Sequence, residues 1–378
     1  MKSIIYFDNA ATTVNKPPSV IRAVSDALSN AGNPGRSAHV YALNAAHAVY
    51  ECRKSVARFF GSEHPEHVVF TSGATHALNL VIKGYAEKGC HIVYSNLEHN
   101  SVIRPVYALT KNEENGIRYS VYDATGSDEN TLRAFKAALR PQTTIAIATL
   151  ASNVCGKILP IAEMARVCKE RGILLLCDAS QGAGTMPVNA GLLGIDALCF
   201  AGHKSLYGPQ GVGGVLFHTD KRPHTLLEGG NGLHSMKMDM DGDLPEVLEA
   251  GTVNTPGICG LDAGIAYVSR IGVEEIFERS EALGEKLCEK LGSVSGVTLY
   301  GANGKRLPTV LFNKKGVNAE QCAASLARER ICVRGGLHCA PLAHEALGTG
   351  EDGAVRASLT FRNTEPEIDA FVRAVERL

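Results

Sequence analysis

The sequence predicts an α/β protein: a mostly parallel sheet of the seven-stranded type, with helices on both faces, joined to a smaller α+β C-terminal domain. Three observations carry this. Short apolar runs ending in turn residues recur between 67 and 217, with helical patterns between several of them, which is the alternation that builds a doubly wound sheet. At 378 residues, the chain exceeds what one hydrophobic core usually serves, so two structural domains are expected. Beyond Pro256 the strands mix with one-sided helices. We therefore divide the chain into a large domain of 16–258 and a small one made of 1–15 and 259–378.

Residues 1–15 read as extended and loop-like. Pro17-Pro18 introduces a helix over 19–30, with Val20, Ile21, Val24, Ala27 and Leu28 at helical spacing. A turn-rich stretch, 33–42, holds Arg36 and His39, and a second helix follows to Phe60. His67-Val68-Val69-Phe70 reads as a strand, then Thr71-Ser72-Gly73-Ala74-Thr75 turns into a helix through Ala86. Further strands are expected at 91–95, 117–122, 143–150, 173–177, 197–201 and 213–217. Residues 228–256 are glycine- and acid-rich without periodicity and read as a long excursion, a hairpin reaching a neighbouring subunit. Helices at 257–270 and 273–292 precede strands at 297–300 and 308–313, a helix at 318–330, and strands at 331–334 and 354–361. Thr364 and Glu367 form a capping box for the last helix, whose inner face is Ile368, Phe371, Val372 and Val375.

Bulk properties exclude several classes of function. A formal net charge of −1 gives no electrostatic reason to bind nucleic acid or an acidic membrane. The N-terminal apolar run is too short for a signal peptide and no segment reaches transmembrane length, so a cytoplasmic protein is expected. The 11 cysteines contain no CxxC pair, which argues against a disulfide framework and against a metal site of the usual spacing. Most lie in apolar runs or helical segments and read as small buried hydrophobes. Cys339, in the glycine-rich RGGLHCAP beside His338, is the exception: its thiol is expected to be mobile and accessible.

The chemistry centres on 177–214. Asp178 follows one apolar run and His203-Lys204 another, and ligands of open α/β sheets bind beyond the carboxyl ends of the strands. A carboxylate and an amine reaching one pocket suit pyridoxal phosphate: the amine condenses with the aldehyde, and the carboxylate keeps the pyridine nitrogen protonated. On spacing alone, an ordinary strand-end Asp and a solvated Lys are the commoner arrangement. The glycines around Lys204 (202, 208, 211, 213 and 214) tilt the balance, because they let backbone approach a ligand. The strand–turn–helix at 68–75 offers free N–H groups and a helix dipole to a phosphate. His99, at the end of the 91–95 strand, suits stacking on a ring or acid–base work, and equally a capping role. Asn153 adds an amide at another strand end.

Nine segments, spread over almost the whole chain, make the match specific: YFDNAATT (6–13), FTSGATHALNL (70–80), LEHN (97–100), ASNVCG (151–156), CDASQGAG (177–184), AGHKSLYGPQGVGG (201–214), EAGTVNT (249–255), RGGLHCAP (334–341) and VRASLTFRNT (355–364). The chain resembles the class V aminotransferase group of fold type I pyridoxal-phosphate enzymes, and within it the cysteine desulfurases and selenocysteine lyases, in the subgroup with a compact catalytic loop. The resemblance implies that Lys204 binds the cofactor aldehyde, Asp178 pairs with the pyridinium nitrogen, Gln181 with the ring hydroxyl, and His99 stacks on the ring. It implies that Ala74 (backbone), Thr75 and His203 hold the phosphate, with Thr252 donated by a second subunit of a homodimer. Asn153 would contact cofactor and substrate, Arg356 would bind the substrate carboxylate, and Cys339 would be the catalytic cysteine, with Arg334 five residues before it.

The activity so implied is conversion of L-cysteine to L-alanine, the sulfur passing as a persulfide on Cys339 to an acceptor protein. The thiolate would be tuned by His338 and Arg334. The alternatives on this scaffold are a selenocysteine lyase acting on L-selenocysteine, a cysteine sulfinate desulfinase, and, less favoured, an aminotransferase. Two departures from the family pattern stand out. Ala201 replaces the usual Ser or Thr two residues before the motif histidine, removing a phosphate ligand. Ser205 looks inserted after the lysine, where its hydroxyl could compensate.

Overall fold

The computed structural model describes residues 4–35, 37–232, 236–302 and 304–378. Arg36 therefore lies outside the described residues. The chain begins with a two-residue strand, β1 (Ile5–Tyr6), then α1 (Pro18–Asn30) and α2 (Val40–Phe59). The central unit alternates as expected: β2 (Val68–Thr71), α3 (Ala74–Tyr85), β3 (His91–Ser95), α4 (Asn100–Thr110), β4 (Arg118–Tyr122), α5 (Asp128–Ala138), β5 (Thr143–Thr149), α6 (Ile161–Arg171), β6 (Leu174–Asp178), α7 (Ala190–Leu193), β7 (Ala197–Ala201) and β8 (Gly213–Phe217). After the excursion come α8 (Thr255–Ile271), α9 (Val273–Gly292), β9 (Val297–Tyr300), β10 (Thr309–Lys314), α10 (Ala319–Arg328), β11 (Ile331–Cys332), β12 (Arg334–Gly336), α11 (Pro341–Leu347), β13 (Ala354–Ser358) and α12 (Glu365–Glu376).

The seven central strands run in the order β2-β8-β7-β6-β5-β3-β4. Only β8 opposes its neighbours, pairing antiparallel with β2 and β7. Strands β6 and β7 are buried at every position, and their alternate side chains feed two cores. Leu175, Cys177, Leu198 and Phe200 enter the core beneath α2, α5, α6 and α8, while Leu174, Leu176, Ala197 and Cys199 enter the core beneath α3 and α4. Burial on both faces accounts for the unbroken apolar runs in the sequence. Edge strand β4, RYSVY, is largely exposed. In register, Thr149 of β5 sits opposite Asp178 of β6, and Asp178 opposite Cys199 of β7. The ends of these strands thus form one rim.

The C-terminal strands form an antiparallel sheet, β12-β13-β10-β9, whose core includes Val310, Phe312 and Val355 with Leu287, Leu326, Ile368 and Phe371 from α9, α10 and α12. The capping box of α12 is present, with Thr364 N–H donating to Glu367 at 2.8 Å.

Three local expectations change. The expected strand at 331–334 is two strands: β11 pairs with β1, and β12 pairs with β13, because the chain passes from one sheet to the other at Val333. The N-terminal residues are a strap, not a loop: β1 is parallel to β11, and Asp8 bridges to Ser358. Among the described residues of 228–256 there is no hairpin; one 3-10 turn, Glu246–Leu248, precedes Glu249. That carboxylate is anchored at two points, accepting from Arg53 Nη1 at 2.8 Å and from Phe70 N–H at 2.6 Å, so it fastens the excursion to α2 and β2. Within the apolar stripe of α1, Val20 and Ala27 are buried, whereas Ile21 (61%) and Leu28 (71%) are exposed.

Candidate active site

A cavity of about 540 Å³ opens at the sheet rim, within the range that holds a cofactor-sized ligand. Its lining includes Ala74, Thr75, His99, Asn153, Asp178, Gln181, His203, Lys204, Arg334, Cys339 and Arg356. Residues separated by up to 282 positions in the sequence, the span from Ala74 to Arg356, therefore meet as expected. Thr252 does not join them within this chain. It lies in a neighbouring hollow with Leu227 and Val253, near Asn33, whose Nδ2 is 3.5 Å from its hydroxyl.

Asp178 ends β6, 5% exposed, and its Oδ1 accepts from Ser180 N–H at 2.8 Å. Lys204 lies in the turn after β7. Burial, opposed by the charge of Asp178 and reinforced by Arg356 and Arg334, lowers its ammonium to about 8, so roughly a tenth is neutral at pH 7. The lysine turn is pinned by the N-terminal strap. The carbonyl of His203 accepts from Thr13 N–H at 3.3 Å, from the hydroxyls of Thr12 and Thr13 at 3.2 Å each, and from Lys16 Nζ at 2.8 Å. His203 itself is pushed down to about 4 by burial and by Lys204, and its Nδ1 lies 3.0 Å from Thr12 Oγ1.

The glycines near Lys204 have a reason other than the one the sequence suggested. A Cβ on Gly213 would lie 2.5 Å from Phe200 O and 2.8 Å from Gly73 Cα; on Gly202 it would lie 2.8 Å from Val212 O. They let backbone pack on backbone, bringing β7, β8 and the 71–75 turn together, rather than admit a ligand. Of the five, only Gly211 lines the cavity.

At the turn itself, Ala74 and Thr75 open α3, so their N–H groups have no partner within the helix. Thr75 Oγ1 is 2.8 Å from Ser101 Oγ, which is in turn 2.8 Å from His99 Nδ1. Of the roles left open for His99, the structure shows the cap. The ring caps α4, its Nδ1 accepting from Ser101 N–H at 3.0 Å, and it lines the cavity. That hydrogen bond leaves its single proton on Nε2 in the neutral ring, and burial pushes the ring's pKa down. Ala201 lines the cavity as a methyl group; Ser205 does not line it, so the added hydroxyl offers no replacement for the missing one.

The two arginines lining the cavity share a partner that is absent from the residues expected there. Asp8 bridges two arginines: Oδ1 accepts from Arg356 Nη2 at 2.8 Å, and Oδ2 from Arg334 Nη2 at 3.0 Å. Arg356 is 2% exposed, also donates to Asn153 O at 2.9 Å, and keeps a buried Nε without a partner. Gln181 Nε2 donates to Ala10 O at 3.0 Å. Glu98, beside His99, is fully buried and accepts from Ser95 Oγ and Thr149 N–H; burial raises its carboxyl to about 8. Asp8 and Thr12 lie inside the YFDNAATT motif and Glu98 inside LEHN, which is the available signal; Ser101 carries none beyond proximity to His99.

Cys339 is exposed and stands on a left-handed turn, with φ 51° at His338 and 55° at Cys339. The carbonyl of Cys339 accepts from Asn100 N–H at 2.7 Å, and that of His338 from Asn153 Nδ2 at 2.9 Å. The main chain of the loop is thus tied at two points. His338 is buried, and burial together with Arg356 pushes it to about 3. It carries no positive charge near neutrality to favour a thiolate, which removes the tuning role expected of it.

The family model for class V aminotransferases matches residues 5–371. The chain belongs to the class V aminotransferase family. It is 33% identical over 386 residues to a probable cysteine desulfurase of Mycolicibacterium paratuberculosis, covering 100% of this chain and 56% of that protein. It is 34% identical over 387 residues to one from Xylella fastidiosa, covering 99% and 90%. Among solved structures, the apo cysteine desulfurase from Thermococcus onnurineus NA1 superposes with a TM-score of 0.91 at 32% identity, covering 99% of this chain and 94% of that one. The cysteine desulfurase CsdA (S-sulfonic acid) from Escherichia coli gives 0.88 at 27% identity, with the same coverages. The family is pyridoxal-phosphate dependent, and the donor set fits that cofactor: a buried carboxylate, a partly neutral lysine and a helix N-terminus line one cavity.

Proposed function

We propose that the protein is a pyridoxal-phosphate-dependent cysteine desulfurase, converting L-cysteine to L-alanine with the sulfur left as a persulfide on Cys339. The observation that carries this is an exposed thiol lining the same cavity as Lys204, Asp178 and Arg356. Asp178 would hold the pyridine nitrogen, His99 the ring face, Gln181 the ring hydroxyl, and Ala74, Thr75 and His203 the phosphate. The cofactor, when bound, supplies an electron sink for negative charge at the substrate Cα. Arg356, with Asn153 and Arg334, orients the substrate carboxylate, for which a planar guanidinium is suited. Lys204, near its own pKa, removes the Cα proton and returns one. Cys339, as thiolate, attacks the substrate sulfur. The S–Cβ bond breaks, its electron pair stays on carbon, and a proton completes L-alanine. Cysteine plus a protein thiol thus give alanine plus a protein persulfide, with no external oxidant.

Thr252 would act across a homodimer, for which the exposed Ile21, Leu28, Val40, Tyr41, Leu43 and Tyr50 of α1 and α2 offer an apolar face. A sulfur-acceptor protein would take the persulfide. We place the protein in the cytoplasm, in keeping with its eleven unpaired cysteines; among the described residues no helix is long and apolar enough to cross a membrane. The division into 16–258 and 1–15 with 259–378 belongs to the same proposal, supported by the separate core of the C-terminal sheet.

The test is alanine and sulfide release from L-cysteine, L-selenocysteine and cysteine sulfinate by the parent and by Cys339→Ala. Loss of desulfuration with retained selenocysteine turnover is expected. Unchanged desulfuration in Cys339→Ala refutes the proposal.

A further inference from the structure

A chain of hydrogen bonds behind the cysteine loop has no part in the reaction above. His338 Nε2 lies 3.0 Å from Arg334 O; His338 Nδ1 lies 3.0 Å from His344 Nε2; His344 Nδ1 lies 2.8 Å from Thr349 Oγ1. All three side chains are buried, His344 at 1% exposure on α11. The imidazole planes are 22° apart with centroids 5.1 Å apart, the separation of two rings meeting edge to edge through one hydrogen bond.

The polarity of this chain follows from its first member. A carbonyl only accepts, so His338 Nε2 carries the proton. In the neutral ring Nδ1 is then a bare acceptor, so His344 Nε2 must donate to it. His344 Nδ1 is bare in turn, and the Thr349 hydroxyl donates. Thr349 Oγ1 also lies 3.3 Å from His344 O, but its single hydrogen serves the shorter contact. Every ring nitrogen is assigned, and none is left to take a proton from a thiol. His338 is therefore not a base for Cys339; it is a strut between β12 and α11.

What the strut braces is costly to hold. His338 and Cys339 are two successive non-glycine residues with φ near +50°, which L side chains adopt only where the surroundings over-determine them. The main-chain contacts to Asn100 and Asn153 hold the loop from the cavity side. Among the described side-chain contacts, those of His338 with His344 and with Arg334 O add to these.

We propose that His344 is a positioning residue for Cys339, fixing through His338 the left-handed turn that presents the thiol to the cavity. Its catalytic consequence rests on the reading of Cys339 as the nucleophile. The test uses holoenzyme variants: His344→Leu removes the donor, His344→Gln keeps an amide donor near the Nε2 position, and Thr349→Val removes the last link. In His344→Leu, hydrogen exchange at residues 337–340 should rise at least about tenfold, because the local opening cost falls. Single-turnover sulfur loading on Cys339 should drop by a similar factor, with KM within about twofold. The pH midpoint of Cys339 alkylation should not move. His344→Gln should restore most of both quantities, and Thr349→Val should show the same changes more weakly. Thr349→Val and His344→Gln carry the test if His344→Leu does not fold.

Parent-like exchange at 337–340 in the donor-removing variants overturns the proposal, as does a shifted alkylation midpoint with unchanged exchange, since that would make the histidines electrostatic partners of the thiol. Parent-like desulfuration by Cys339→Ala would instead overturn the nucleophile reading, and the exchange result would still decide the loop's support.

Discussion

Asp8 is the sharpest place to test the site. Its carboxylate sits 2.8 Å from the guanidinium of Arg356, whose side chain is 3% exposed. Asp8→Asn removes the charge and keeps the shape. Two unit charges about 4 Å apart interact by roughly 4 kcal/mol at an effective dielectric near 20. The asparagine carbonyl retains one hydrogen bond, offsetting about 1 kcal/mol. The contact with Arg334 adds little, because that side chain is 48% exposed. The variant should therefore lose about 3 kcal/mol of stability, roughly a hundredfold in the unfolding equilibrium. Urea unfolding of parent and variant at pH 7 measures this directly. L-alanine should restore part of the loss in the variant and little in the parent, because its carboxylate can take the place of Asp8 on Arg356. An unfolding free energy within about 0.5 kcal/mol of the parent would refute the reasoning, since Arg356 would then be neutralised by something other than Asp8.

Three further outcomes are expected. Ala201→Ser should return a phosphate ligand and tighten pyridoxal phosphate by about 1.5–3 kcal/mol, roughly 10- to 100-fold, read from cofactor loss on dialysis; weaker binding would mean that the phosphate does not sit against β7. Glu98 has a folded pKa of about 8, raised by burial above its ordinary value. Its contribution is thus fully present at low pH and is lost as pH rises, by up to about 1.4 kcal/mol per unit from above pH 4.5 to about 8, so Glu98→Gln should show a flatter stability profile over pH 5–8. Lys204→Ala should abolish both the colour of the holoenzyme and turnover while leaving the fold intact by circular dichroism. Retained turnover would remove Lys204 from the proposed chemistry.

The sequence made most of the framework legible because the sheet is buried on both faces. Runs such as LLLCD and ALCFA have few other places to go, and their ends marked Asp178 and Lys204. The polar network was not legible. Asp8 meets Arg356 across 348 positions, and nothing local at either residue names the other. His344 lies five residues beyond Cys339, yet whether a histidine is a strut, a base or a cap depends on which carbonyl faces it. The glycines illustrate the limit from the other side. Their clustering was plain in the sequence, but the atoms they make room for, such as Phe200 O and Gly73 Cα, belong to other segments.

The N-terminal strap has a consequence for how the enzyme comes into being. Within residues 8–16 it holds Arg356 and Arg334 through Asp8, Gln181 through Ala10, and the lysine turn through Thr12, Thr13 and Lys16. This segment emerges from the ribosome early, while Arg356 and Ser358 are among its last partners to be made. The large sheet can fold co-translationally, but the strap cannot seat on both sheets until β13 has appeared. The Asp8–Arg356 contact is therefore completed only after the segment bearing Cys339 has been made.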